Sequence, residues 1–170
     1  MNQKTPAKAT HTNSYQVEVR LKSEFTDSEG LAALSILNGL GLNTARELRT
    51  SQIYAIRGPL GIGNIQQAAK ELLSDAVTQE YRLIAPSAAF SNGMSHWRIE
   101  VWLKDSVTDS VGDTVRSAFV EMGLPTPQSV RVATAYRITG KCGKNQLERI
   151  IPRCLANPII HRFIISETHP

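Results

Sequence analysis

The 170-residue sequence contains one pattern twice, and that repeat limits the possible folds more than any other feature. Laid over residues 97–166 at a constant offset of 82, residues 15–84 match at 18 of 70 positions without a gap. Average residue usage would give about 4 matches by chance. Glu18, Val19, Leu21 and Lys22 fall on Glu100, Val101, Leu103 and Lys104. Thr26, Asp27, Ser28 and Gly30 fall on Thr108, Asp109, Ser110 and Gly112. Gly41, Leu42, Arg49, Tyr54, Ile56, Gly58 and Gly61 recur as Gly123, Leu124, Arg131, Tyr136, Ile138, Gly140 and Gly143. Tyr15 with Trp97, Leu37 with Phe119 and Tyr81 with Phe163 are conservative pairs. The sequence is a tandem duplication.

Each copy predicts the same five elements. Tyr15, Val17, Val19 and Leu21 alternate with polar residues, as do Trp97, Ile99, Val101 and Leu103, which indicates a strand with one buried face. Thr-Asp-Ser then offers a helix cap, and Leu31, Leu34, Leu37 and Leu40 follow at helical spacing, with Val115, Phe119 and Met122 in the second copy. Gly41 and Gly123 stand where those helices end. Leu48, Tyr54 and Ile56, like Val130, Val132, Tyr136 and Ile138, predict one long strand, bent near Ser51 and Ala133. Asn64 and Asn145 are candidate caps of a second helix, with Gln67 and Glu148 three residues on. Pro152 predicts a kink in the second copy's helix. A short strand holding Tyr81 and Leu83, or Phe163 and Ile165, closes each unit.

The expected fold class is therefore α+β: a duplicated strand–helix–strand–helix–strand unit whose copies pair as a pseudo-dimer, with helices packed on antiparallel or mixed sheets. About 70 residues bury little core alone, and pairing covers apolar surface and sheet edges that one copy leaves open. The expected organisation is a tail at 1–14, repeat 1 at 15–84, a linker at 85–96, repeat 2 at 97–166 and a tail at 167–170. The linker is rich in Pro, Ser, Asn-Gly and small residues, and twelve residues span up to about 40 Å.

Hydrophobic residues make up 41% of the chain and charged residues 20%, which argues against disorder. No apolar run reaches the roughly 18 residues of a membrane span, and the polar start lacks the apolar core of a secretory signal, so a cytoplasmic location is expected. Cys142 and Cys154 lack zinc-ribbon spacing and are expected to be ordinary thiols, one of them buried on a helix. The net charge of +4 is uneven: the tail 1–14 carries +2, repeat 1 carries −1 and repeat 2 carries +4, with Glu167 bringing the sum back to +4. The scattered basic residues of repeat 2, without an aromatic-rich run, give little support to nucleic-acid binding and fit an acidic partner surface or an anion.

No residue set for catalysis, a cofactor or a metal emerges. His11, His96, His161 and His169 have no partner at ligand or triad spacing. Asp27 and Asp109 beside helix starts are expected to be caps. Gly58 to Asn64 lacks the dinucleotide and Walker fingerprints. Its counterpart, Gly140 to Asn145, places Lys141 and Lys144 near a helix N-terminus, where an anion can sit, although a plain turn is the simpler expectation. Tyr54 and Tyr136 share a face with Ile56 and Ile138 and are expected to pack in a core or interface.

These features resemble the PurS family, the small subunit of phosphoribosylformylglycinamidine synthase. PurS subunits carry Asp-x-x-Gly after the first strand, Leu-Gly at the end of the first helix, and Leu-Leu-Ala-Asn-Pro-Val-Ile-Glu-Asp-Tyr before the last strand. Asp27-Ser28-Glu29-Gly30 and Asp109-Ser110-Val111-Gly112 match the first signature, and Leu40-Gly41 the second. Leu155-Ala156-Asn157-Pro158-Ile159-Ile160-His161-Arg162-Phe163 is similar to the third, and Leu72 to Tyr81 more loosely so. The chain has Ser51-Gln52 and Ala133-Thr134 where the family has a Gly-Lys pair. Two tandem copies also resemble the N-terminal part of fused, long-chain synthases. The resemblance implies a non-catalytic subunit, without cofactor, that bridges a PurQ-like glutaminase and a PurL-like ATP-using synthetase in purine synthesis, as a pseudo-dimer able to pair again into a homodimer. The rival readings are a tandem ferredoxin-like or ACT-like small-ligand sensor and a basic RNA-binding module.

Overall fold

The computed structural model describes residues 12–84 and 96–168. The start of the N-terminal tail, nearly all of the linker and the last two residues lie outside it. Period-two hydrophobicity produces six strands: β1 (Asn13–Leu21), β2 (Ala45–Gly58), β3 (Gln79–Ile84), β4 (His96–Leu103), β5 (Ser129–Gly140) and β6 (His161–Thr168). Between them run α1 (Ser28–Gly39), α2 (Ile62–Ala68), α3 (Ser110–Glu121) and α4 (Lys144–Cys154). α2 continues as a wider π-helical turn over Ala69–Leu73. No helix among the described residues is long and apolar enough to cross a membrane.

All six strands form one antiparallel sheet in the order β3-β1-β2-β5-β4-β6. The order is the same read outward from β2 in repeat 1 and from β5 in repeat 2. The two long strands pair down the middle, with Gln52 opposite Thr134, its own counterpart at the offset of 82. A pseudo-two-fold axis therefore passes between these two residues. The bend expected near Ser51 and Ala133 is absent from the register, which runs unbroken there. The irregularity falls instead between Ala45 and Glu47, at the start of β2.

Backbone bonds recur at the same offset. Lys22 N donates to Thr78 O and Lys104 N to Ile160 O. Leu42 N donates to Leu37 O and Leu124 N to Phe119 O, closing α1 and α3 over Gly41 and Gly123, whose φ angles of 99° and 70° suit glycine. The expected caps of the second helices need correction. The N-cap residues are Gly61 and Gly143, and the amide oxygens of Asn64 and Gln146 reach back to accept from Gly61 N and Gly143 N, each at 3.1 Å. Asn145 is not a cap. Pro152 lies in the last turn of α4, where it interrupts little of the helix.

The helix side of the sheet carries two cores, and each draws on both repeats. One joins Ala33 and Leu37 of α1 to Trp97, Ile99, Ile138 and the Leu147, Ile150 and Ile151 face of α4. The other joins Val17, Tyr54, Ile56, Ile65 and Ala68 to Phe119 of α3 and to Val130. The first helix of each repeat thus packs beside the last helix of the other.

Candidate functional site

The most constrained residues lie along the seam and at the starts of α1 and α3. Asp27 Oδ1 accepts from Gly30 N at 2.8 Å, and Asp109 Oδ1 accepts from Gly112 N at the same distance. The other carboxylate oxygens accept from Thr50 N and Val132 N of the long strands. Each aspartate therefore caps a helix and also ties it to the seam. The glycines are required for close approach. A Cβ on Gly30 would meet Leu48 O at 2.4 Å, and one on Gly112 would meet Val130 O at 2.3 Å. The expectation that Asp27 and Asp109 are caps holds, and each has a second duty that sequence spacing does not reveal.

The face of the sheet away from the helices holds a third cluster, Ile53, Trp102, Ala133 and Ala135, with no helix residue in it among the described residues. Glu18 lies on this face, 1% exposed. It accepts from Arg98 Nη1 at 2.7 Å, from Arg82 Nε at 2.7 Å and from Ser51 Oγ at 2.6 Å. Arg98 belongs to repeat 2, and its Nε also donates to Glu100 at 2.8 Å. Burial disfavours the Glu18 charge, but Arg98 and the hydrogen bonds outweigh it and hold the carboxyl at about 2. Burial likewise opposes the Arg98 charge, and Glu18 and Glu100 more than offset it, so that guanidinium stays protonated more firmly than usual. The cluster locks β1 of repeat 1 to β4 of repeat 2 across the seam. It is not symmetric: Arg98 and Arg82 stand at the counterparts of Gln16 and Ile164.

The carboxylates of this arrangement are engaged in holding the fold. Glu18 is ionised throughout the neutral range and saturated by donors, so it has no proton to give and little basicity. Asp27 and Asp109 are spent on backbone N–H groups. His161 Nδ1 accepts from Asn157 N at 3.0 Å in the turn before β6. His11, His169 and the side chain of His96 lie outside the described residues. No group of three His, Cys, Asp or Glu able to hold a metal occurs among the described residues. Tyr54 and Tyr136 sit in the two cores, as their alternation predicts, and burial pushes both hydroxyls up. The buried thiol is Cys142, in the turn before α4 and not on a helix, whereas Cys154 on α4 is half-buried. Burial raises both thiols.

The glycine-bearing turns are tied to the first strand of their own repeat. Leu60 is 1% exposed, and its carbonyl accepts from Asn13 Nδ2 and Tyr15 Oη. In the counterpart, the Cys142 carbonyl accepts from Trp97 Nε1 at 2.7 Å, while Lys144 lies 3.8 Å from Glu148. A cleft of about 390 Å³ beside the axis has Thr50, Gln52, Gln79, Glu29 and Thr134 in its walls. Another, of about 310 Å³, mixes Arg20, Arg49 and Arg137 with Glu47 and Glu80. Sequence reasoning passed over Glu18, Arg82 and Arg98. The signal available was the charged residue at the centre of a β1 that repeats as Glu100.

Comparison with known proteins bears on repeat 2. Residues 96–168 match the family model PurS, described as phosphoribosylformylglycinamidine (FGAM) synthase. Among solved structures, the chain is similar to PurS of B. subtilis in a C2 crystal form, at 24% identity over 44% of this chain and 98% of that one, with a TM-score of 0.40. No curated relative matches the chain. The second half of the chain therefore carries the PurS pattern.

Proposed function

We propose that this chain is a non-catalytic assembly subunit of phosphoribosylformylglycinamidine synthase, built from two PurS-like units, 15–84 and 97–166, and working in the cytoplasm. It bridges a glutaminase that releases ammonia and a synthetase that uses ATP, in purine synthesis. The observation that carries the reading is the family match over residues 96–168. The shared cores, the seam and the saturated carboxylates support it, because they describe one continuous sheet whose two halves are related but unequal. Such a sheet suits a bridge between two different partners. Holding two active sites in register raises flux without any contact with the reaction.

Omission is the direct test. The separately purified synthetase and glutaminase, sedimented with and without this chain, should form one complex only when the chain is present. If the two enzymes associate equally well without it, the bridging role is wrong.

A further inference from the structure

Helices α1 and α3 begin alike, each with an aspartate cap and a buried glycine, but their outward faces differ. Beyond the first turn of α1 the exposed residues are Leu31, Ala32, Ser35, Ile36 and Gly39. Their spacing places them on one stripe, and the stripe has no charge. Leu31 is 57% exposed and Ile36 51%. At the same positions α3 has Asp113, Thr114, Ser117, Ala118 and Glu121. The exposed apolar residues of α3, Val111 and Val120, are nine residues apart and so lie on opposite sides of the helix. α3 has the outer face of a helix that meets water, and α1 that of a helix covered on a second side.

Two neighbouring features indicate what covers it. The stripe ends at a cleft of about 280 Å³ whose walls include Phe25, Leu31 and Leu34, with Arg46 and Arg49 beside Glu24 and Glu47, so the cleft itself is near neutral and the basic charge comes from α4. In repeat 2, Arg116 replaces Leu34 and donates to the Pro127 carbonyl at 3.1 Å, so that place has lost its apolar wall. α4, which packs beside α1, turns Lys144, Arg149 and Arg153 to solvent, with Lys141 just before it and Glu148 the one exposed acid of the helix.

We propose that the outer face of α1, with the basic flank of α4, is a docking surface for a partner subunit that presents an apolar anchor among acidic side chains. The proposal rests on the assembly reading and names the surface that does the assembling. Charge favours this occupant over a second copy, because a self-complementary contact would bring like basic flanks into one interface. Hydrophobic anchors in a cleft supply most of the affinity, and the charged rim supplies partner choice.

The test uses the full chain, with the purified synthetase and glutaminase as probes. Leu31→Glu/Ile36→Glu is compared with the control Thr114→Glu/Ser117→Glu at the same level of α3. Both pairs are exposed, so circular dichroism and Tm should match those of the unaltered chain. The α1 variant should bind one of the two subunits at least about tenfold more weakly, while the α3 variant binds as the unaltered chain does. Lys144→Glu/Arg149→Glu should weaken the same contact and flatten its salt dependence. Binding of the α1 variant within about twofold of normal overturns the proposal while the assembly reading stands. Self-association of the unaltered chain that the α1 variant abolishes would make a second copy the occupant and also overturn it. If the unaltered chain binds neither subunit, the assembly reading falls and takes this surface with it.

Discussion

Repeat 1 and repeat 2 hold their backbones with the same bonds and clothe them in different charges. Asp27 and Asp109, Gly30 and Gly112, and Gly41 and Gly123 perform identical tasks at identical offsets. By contrast, Glu18 collects Arg82, Arg98 and Ser51, whereas its counterpart Glu100 receives Arg98 and Trp102 Nε1. The difference separates what the fold demands from what each side is free to change. Positions that close a turn or admit a strand carbonyl cannot drift. Side chains facing solvent or the seam can, and a single chain lets the two halves drift apart while staying paired.

The strongest way to break the comparison is to separate the halves. Each core takes one helix from each repeat, so residues 1–85 expressed alone lack Phe119 and Val130. That fragment should aggregate or dimerise with itself, and sedimentation should show no stable monomer. A soluble, cooperatively folding monomer would mean that the cores are not shared in any way that matters.

Next in size are the paired glycines. Gly30→Ala and Gly112→Ala each drive a methyl into a strand carbonyl, at a cost of about 2–4 kcal/mol. Denaturant unfolding should give losses within about 1 kcal/mol of each other. A large inequality would show that one repeat has room to yield and that the symmetry is looser than the bonds suggest.

A third effect, of similar size in one repeat and smaller in the other, is the one in which the repeats should disagree. Glu18→Gln leaves Arg98 buried beside a weakened partner and should cost about 3 kcal/mol, against about 1 kcal/mol for the more exposed Glu100→Gln. The pH dependence has a definite sign. The Glu18 carboxyl is held at about 2, below its ordinary 4.5, so its contribution is fully present above about pH 4.5 and is lost as pH falls toward 2. Stability curves of the two variants over that window should separate, with Glu18→Gln the flatter. Overlapping curves would remove the cluster from the account of the seam.

The repeat, the order of elements, the α+β class and the two aspartate caps were legible in the sequence because they follow from spacing and from residues with few alternative uses. Asp-x-x-Gly is the clearest case: the aspartate announces a helix start, while the reason for the glycine is a carbonyl from a strand eighteen residues on. The cap of α4 was misread because Asn145 is the better capping residue type, yet Gly143 with Gln146 behind it has the geometry. Glu18, Arg82 and Arg98 lie 64 and 80 residues apart, and their meeting depends on strand order across the seam, which alternation cannot give. The cross-repeat cores were hidden for the same reason, since an amphipathic helix shows that it packs but not against which neighbour.

A chain that joins two enzymes without reacting itself should matter for one nitrogen source and not the other, and a three-component assay separates the two. With the synthetase and glutaminase present, amidine formation is measured with glutamine and then with free ammonia, each with and without this chain. Omission should abolish most glutamine-dependent turnover and leave the ammonia-dependent rate far less affected, because free ammonia bypasses the bridge. Equal glutamine-dependent rates with and without the chain would contradict the account.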